Sequence, residues 1–425
     1  MRLKDVEVDR SPLRSDFVRV SAKIEIQSKG SLLCYWFDVP SDLSASLSDS
    51  GNPWAVLMLP LACYFGEPLL IEQPLDRVLH DNLLGLRSVW SAWYPEIKSV
   101  PIEADKLVGI DRRDVPIDLS KRTISSFSGG IDSLFTFYRH KDQVLGDGTG
   151  LIDDFLCVGG FNTPLDDFDQ MRARLGPFAA RFGRRLVPVL TNIRYGHHAV
   201  ETLYSIGSWE ERLAHGAFLA AIVHLLGRRY REFLIPPSFT YSYVQPWGSH
   251  PMCDPLLSAS DLRVVHDGAA FNRAERTAVV VRHDESLGVL QVCARNGYGL
   301  GNCSRCEKCL RTMATLDVMG VMDRARTFDW SCYSVQQLCR VWLPSRSQQD
   351  SFEIIAKRAE EEGRPDIAGA ARASLAFSRR RKAVLDLINS NPISRGAWRG
   401  VRIVRNSLLS SKNRSAKSLS RKNRM

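Results

Sequence analysis

The chain predicts an α/β fold built on a doubly wound parallel sheet, and three observations carry that expectation. From residue 120 onward, short apolar runs alternate with helical stretches. The first run leads into a serine- and glycine-rich turn, and ligands of such sheets sit beyond the carboxyl ends of the strands. A long early apolar stretch is interrupted by proline and acid, so it belongs to a protein core.

Residues 1–115 are expected to form an N-terminal α+β accessory domain. "FVRVSAKIEI" (17–26) and "LLCYWFDV" (32–39) read as two strands joined by a Lys-Gly turn. "WAVLMLPLACYFGEPLLI" (54–71) is apolar enough to suggest a membrane span. Pro60, Glu67 and Pro68 divide it into pieces too short for roughly 30 Å of hydrocarbon. A helix over about Leu69–Trp93 follows, and Pro95 and Pro101 close the segment. Nothing here has catalytic spacing, so a protein partner or substrate shaping is the expected role. The opening "MRLKDVEVDRSPLR" lacks an apolar core and a small-residue cleavage site, and a cytoplasmic location is expected.

Residues 116–325 carry the alternation. "RTISSFS" (122–128), "DFLCVGGF" (154–161), "RLVPVLTNI" (185–193), "EFLIPPS" (232–238) and "LRVVHDG" (262–268) read as strands. "EERLAHGAFLAAIVHLLGRRY" (210–230) reads as a helix. Residues 326–377 are expected to form a C-terminal helical unit, and 378–425 a basic, partly disordered tail. That tail holds 14 of the 57 Lys/Arg and one of the 47 acids, a formal +13. The preceding 377 residues are left with 43 basic and 46 acidic groups, near −3, although the whole chain is +10. A mildly acidic body without a basic aromatic stripe disfavours a nucleic-acid platform, while the tail keeps RNA open as a partner. An amphipathic patch at 397–409 makes acidic lipid a second use for the tail.

The stretch "SSFSGGIDSLFTFY" (125–138) carries the chemistry. Gly129 and Gly130 allow close backbone approach, and Ser128 and Ser133 offer hydroxyls. A helix beginning near Asp132 presents orphan amides, the recipe for a phosphate cradle. Asp132 stands where it can cap that helix and help hold Mg2+ beside a polyphosphate. No G-x-x-x-x-G-K-[ST] occurs, while "GDGTG" (146–150) and "GYGLGN" (297–302) fail the dinucleotide spacing.

Four of the ten cysteines fall within seventeen positions as Cys293-x9-Cys303-x2-Cys306-x2-Cys309. In a reducing compartment such crowding argues for metal. Four thiolates close a tetrahedral Zn2+ shell and leave no open position, which makes the site structural. It would tie a strand "GVLQVC" (288–293) to a helix starting around Glu307. An iron–sulfur cluster is the competing metal.

The S-G-G-x-D-S pattern resembles the PP-loop of the N-type ATP pyrophosphatases. Joined to C-x9-C-x2-C-x2-C about 160 residues later, it resembles the 7-cyano-7-deazaguanine synthase family, in particular its longer, divergent relatives. The resemblance spans about residues 120–320. It implies an ATP-dependent synthase or ligase that adenylates a carboxylate or amide oxygen, releases pyrophosphate, and forms a C–N bond by nitrogen attack. It implies ATP, Mg2+ and Zn2+ as cofactors and a small-molecule carboxylate or amide as substrate. Carried onto this sequence, the nucleotide loop runs from Phe127 through Ser128, Gly129, Gly130, Ile131, Asp132 and Ser133 to Phe137. The zinc ligands become Cys293, Cys303, Cys306 and Cys309. A tRNA-modifying PP-loop enzyme and a non-catalytic nucleotide-binding scaffold are the alternatives.

Between the fourth and fifth runs, His250, Asp254, His266, Asp267 and Arg273 are candidates for holding substrate, with Arg273 suited to a carboxylate or phosphate. Each also has an ordinary loop-stabilising use. A zinc pair of His250 and Cys253 lacks a second pair, and His197-His198 reads as solvated loop.

Overall fold

A computed structural model describes residues 1–10, 14–109, 121–142, 151–161, 163–193, 210–293 and 301–390. His197, His198, the run 146–150, residues 297–300 and the chain beyond 390 lie outside these. The chain divides into two compact units, Met1–Tyr333 and Ser334–Met425.

The first unit is organised by a ten-stranded sheet of order β12-β11-β8-β9-β10-β3-β2-β1-β4-β6. Five neighbouring strands pair in parallel with one another: β8 (Arg122–Ser126), β9 (Asp154–Gly159), β10 (Arg185–Thr191), β11 (Tyr230–Ile235) and β12 (Arg263–His266). One falls on each of the five runs expected as strands, and each ends before its run does. The chain leaves β8 for β9 and β10 on one side, then returns to lay β11 and β12 on the other. The switch point therefore lies between β8 and β11, where such sheets open a crevice.

β1 (Arg2–Asp9), β2 (Phe17–Ile26) and β3 (Ser31–Pro40) form an antiparallel meander. β2 alternates buried and half-buried residues along most of its length, the pattern of a strand with one face on a core. Gly30 takes φ +56° at the β2–β3 connection, where a left-handed residue is required. β3 then pairs antiparallel with β10 through Leu190↔Asp38 and Thr191↔Phe37. Asn192 extends this seam, accepting from Trp36 N at 2.9 Å and donating to Cys34 O at 2.8 Å. Strands from both sides of the boundary drawn at residue 115 thus share one sheet.

The apolar stretch forms helix α1 (Asn52–Phe65), which is buried from Asn52 through Cys63. Among the described residues, no helix is long and apolar enough to cross a membrane. The helix expected from Leu69 begins later. Leu69–Ile71 is strand β4, paired with β1 and with β6 (Ile102–Ala104), and α2 spans Arg77–Trp93. Asp76 sets that start by accepting from Leu79 N at 2.9 Å. It also belongs to β5 (Leu75–Asp76), which pairs with β7 (Leu107–Val108).

Helices α3 (Ile131–Lys141) and α4 (Phe168–Arg181) follow β8 and β9 and share an aromatic core with them. Helix α5 (His215–Leu225), entered through a π turn at Glu210–Ala214, belongs to the separate core around α1. Helices α6 (Arg273–Val280), α7 (Asp284–Val289) and α8 (Glu307–Val318) complete the elements that reach the site. "GVLQVC" is not a strand. It is the end of α7 followed by irregular chain, while the helix expected around Glu307 starts there.

The second unit holds α9 (Val335–Leu338), α10 (Arg346–Glu361) and α11 (Pro365–Ser390). α11 runs through the boundary drawn at residue 378. Ser378 is buried and its Oγ accepts from Leu343 N at 3.0 Å, so it belongs to the helical unit.

Candidate functional site

A cavity of about 250 Å³ opens at the switch point, beyond the carboxyl ends of β8, β9 and β11. The β8–α3 connection supplies Ser126, Phe127, Ser128, Gly130, Asp132 and Ser133 to its wall. Phe127 stacks on Phe155 with ring centres 4.1 Å apart, and Ile131 is fully buried, so both anchor the loop from below. The hydroxyls fix its curvature. Gly130 N donates to Ser128 Oγ and Ser128 N to Ser133 Oγ, both at 3.3 Å, and Ser133 Oγ donates to Gly130 O at 3.1 Å.

Gly129 has φ +73°, and a Cβ there would lie 2.6 Å from Arg174 Nη1 and 2.8 Å from Leu175 Cδ2. Only glycine fits. Gly130 is the N-cap of α3, and no side chain caps the helix. Its first-turn amides therefore remain for a ligand at the cavity wall.

The carboxylate of Asp132 does not cap α3. Oδ2 accepts from Arg273 Nη1 at 2.5 Å and Oδ1 from Arg276 Nη1 at 2.9 Å. The two arginines stand one turn apart on α6, on the same helix face. Burial opposes the charge on Asp132, yet the two guanidinium groups hold it below the usual carboxylate range. Burial pulls Arg276 down, with Asp132 opposing. Arg276 also donates to Pro237 O at 3.3 Å and Phe239 O at 3.4 Å, fixing the segment whose Pro237 and Ser238 line the cavity. A Mg2+ ion on Asp132 would have to displace cations from both oxygens. The carboxylate does not fit a magnesium ligand as it stands; it fits an anchor for the arginines.

Leu156, Val158, Phe161, Met171, Leu219 and Ile235 give the cavity an apolar wall suited to a planar ring. His215, the first residue of α5, faces the same space beside Phe161, ring centres 5.1 Å apart. Burial lowers its pKa, with Asp254 opposing, so the imidazole is neutral at pH 7.

The other candidates from 245–276 do not line the cavity. Asp254 is fully buried and accepts from Ser249 Oγ and His266 Nδ1, both at 2.7 Å. His250 lies edge-on to Trp93, ring centres 4.8 Å apart, and accepts from Met252 N. Asp267 pairs with Arg139 and, at 3.0 Å, with His140 Nε2. These are buried supports of the β12 end.

The four cysteines converge. Their Sγ atoms lie within 4.8 Å of one another, with Cys303–Cys309 at 3.8 Å and Cys293–Cys306 at 3.7 Å. A tetrahedral ZnS4 unit with bonds near 2.3 Å has sulfur–sulfur edges of about 3.8 Å. Ser304, at φ +56°, makes the tight turn, and Cys306 N donates to Cys303 Sγ at 3.3 Å. Cys306 caps α8 and Cys309 lies in its first turn, where the helix end favours thiolates. Hydrogen bonding from Cys309 pulls Cys306 down to about 4. Burial pushes Cys303 up, and the shared hydrogen bond with Cys306 pushes Cys309 up. Four sulfurs this close share hydrogen bonds among themselves, an arrangement that a cation at the centre would replace. The cluster can hold a metal such as zinc. It also reaches the loop: Asn302 accepts from Val292 N at 2.8 Å and donates to Leu290 O at 3.0 Å, and Gln291 N donates to Gly129 O at 3.0 Å.

No family model matches the chain, and neither a curated protein nor a solved structure does.

The loop residues, Arg273 and the cysteines were legible as motifs. Arg276, Arg174 and His215 belong to no sequence motif. The one-turn spacing of Arg276 from Arg273 was a usable signal, whereas His215 sat inside a helix that reads as plain core.

Proposed function

We propose that the chain is an ATP-dependent C–N ligase or synthase of the PP-loop type, similar to 7-cyano-7-deazaguanine synthases. The cavity at the switch point carries the reading, with the Ser128–Ser133 loop and uncapped α3 amides beside an apolar wall. The wall suits the base and the loop suits the phosphates. Arg273 and Arg276 exceed the single charge of Asp132, so the site keeps net positive charge for an anion.

In this reading a substrate carboxylate or amide oxygen attacks the α-phosphorus of ATP. A P–O bond forms, the α–β bridge breaks, and pyrophosphate leaves onto the loop amides. A nitrogen nucleophile then forms the C–N bond, loses a proton to solvent, and expels AMP. Magnesium enters as the counter-ion of ATP. Zinc, held by Cys293, Cys303, Cys306 and Cys309 with no open position, would brace the segment behind the loop.

The test measures AMP, ADP and pyrophosphate from Mg·ATP with a panel of small carboxylic acids plus ammonia, with tRNA, and with neither. Equal AMP and pyrophosphate that require a small acid support the proposal. Dependence on tRNA transfers the assignment to RNA modification, and tight Mg·ATP binding without turnover in any arm leaves a nucleotide-binding scaffold.

A further inference from the structure

Arg174 on α4 directs its guanidinium at the back of the phosphate loop. Nη2 donates to Ser128 O at 3.0 Å and Nη1 to Val289 O at 2.5 Å. The contact is close enough that a Cβ on Gly129 would strike Nη1. Its Nε has no hydrogen-bond partner. Among the described residues no carboxylate forms an ion pair with it, although Arg19, Arg139, Arg229, Arg263, Arg273 and Arg276 each have one. Burial draws its pKa down to about 10, which still leaves it charged at neutral pH.

A half-buried cation without a carboxylate partner is costly, and Arg174 is held on one side by carbonyls alone. An anion on the other side of the loop would supply what is missing. The backbone is arranged for one. Arg174 holds the Ser128 carbonyl backward, and Gln291 N holds the Gly129 carbonyl backward at 3.0 Å. In a trans peptide the N–H points opposite the carbonyl, so the Gly129 amide is turned away from Arg174 and toward the ligand side.

We infer that Arg174 is a positioning residue for a polyphosphate ligand, acting through the Ser128 carbonyl and through its own uncompensated charge. The inference rests on the reading of the loop as a pyrophosphate cradle.

Arg174→Gln removes the charge while retaining an N–H donor. Arg174→Lys retains the charge while losing the planar two-pronged grip. Pyrophosphate and Mg·ATP binding to the full chain are measured by calorimetry at low and high salt, and ligand-free melting checks folding. The expected result is about tenfold weaker pyrophosphate binding in the Gln variant, with the deficit shrinking in salt, and at most about threefold in the Lys variant. Equal weakening of both variants overturns the electrostatic role and leaves a structural brace. Wild-type affinity in both overturns the inference altogether. A wild-type chain that ignores pyrophosphate and Mg·ATP overturns the cradle reading, and this inference with it.

Discussion

Asp132→Ala tests the loop and the arginine pair together. The substitution removes the acceptor of two guanidinium groups, of which Arg276 is 3% and Arg273 28% exposed. Deleting one partner of a fully buried ion pair costs about 3–5 kcal/mol. Asp132 is itself 30% exposed, and Arg276 retains two backbone carbonyls, so about 2 kcal/mol is the better figure. That corresponds to a melting point lower by roughly 3 °C in a unit of this size. Because the folded-state pKa of Asp132 is lowered, its contribution is present above the unfolded value near 3.9 and is lost as pH falls through the folded value. The deficit should therefore be flat from about pH 5 to 8 and should close below about pH 4. Freed arginines would also misplace the cavity wall at Pro237 and Ser238, with pyrophosphate release down at least about a hundredfold. Calorimetric melting across pH, paired with a pyrophosphate assay, measures both. A variant that melts within 1 °C of wild type (a margin of about 0.7 kcal/mol) and turns over normally refutes the reasoning.

Elemental analysis should find one zinc per chain, and Cys306→Ser or a strong chelator should release it and loosen the 301–318 segment to hydrogen exchange. An iron–sulfur chromophore would replace zinc in that account. Gly160→Ala should destabilise the fold by more than about 2 kcal/mol in denaturant titration, because φ is +82° and a Cβ would lie 1.7 Å from Thr191 O. Wild-type stability would mean that β9 and β10 separate freely. Removal of residues 391–425 should leave pyrophosphate release with a small substrate unchanged, while a large loss of turnover in a folded protein would assign the basic tail to the reaction.

The parallel strands were legible because a strand buried on both faces carries a short continuous apolar run, as in Phe155–Val158 of β9 and Phe233–Ile235 of β11. The loop was legible because its glycines and serines are local requirements. β1 was not, since six of its eight residues are exposed and its pattern resembles loop. Nor was the β3–β10 pairing, which joins residues about 150 apart and leaves no local trace. The partner of Asp132 was hidden for the same reason, since Arg276 lies 144 positions away. Asp132 reads in sequence as a cap for a helix that would begin beside it, but the helix begins at Ile131 behind Gly130, and two distant cations take the carboxylate.

The narrow seam between β3 and β10 has a practical corollary for anyone dissecting the chain. A fragment begun at residue 116 would keep the Ser128–Ser133 loop and all four cysteines, yet it would strip β10 of its β3 neighbour. The exposed border would present unpaired amides and carbonyls at Leu190 and Thr191, beside an Asn192 that had been answering Trp36 and Cys34. Raw borders of that kind recruit other chains. The N-terminal meander thus serves as the selvedge of the parallel strands, and cutting it away should yield filaments or precipitate in place of a smaller working protein.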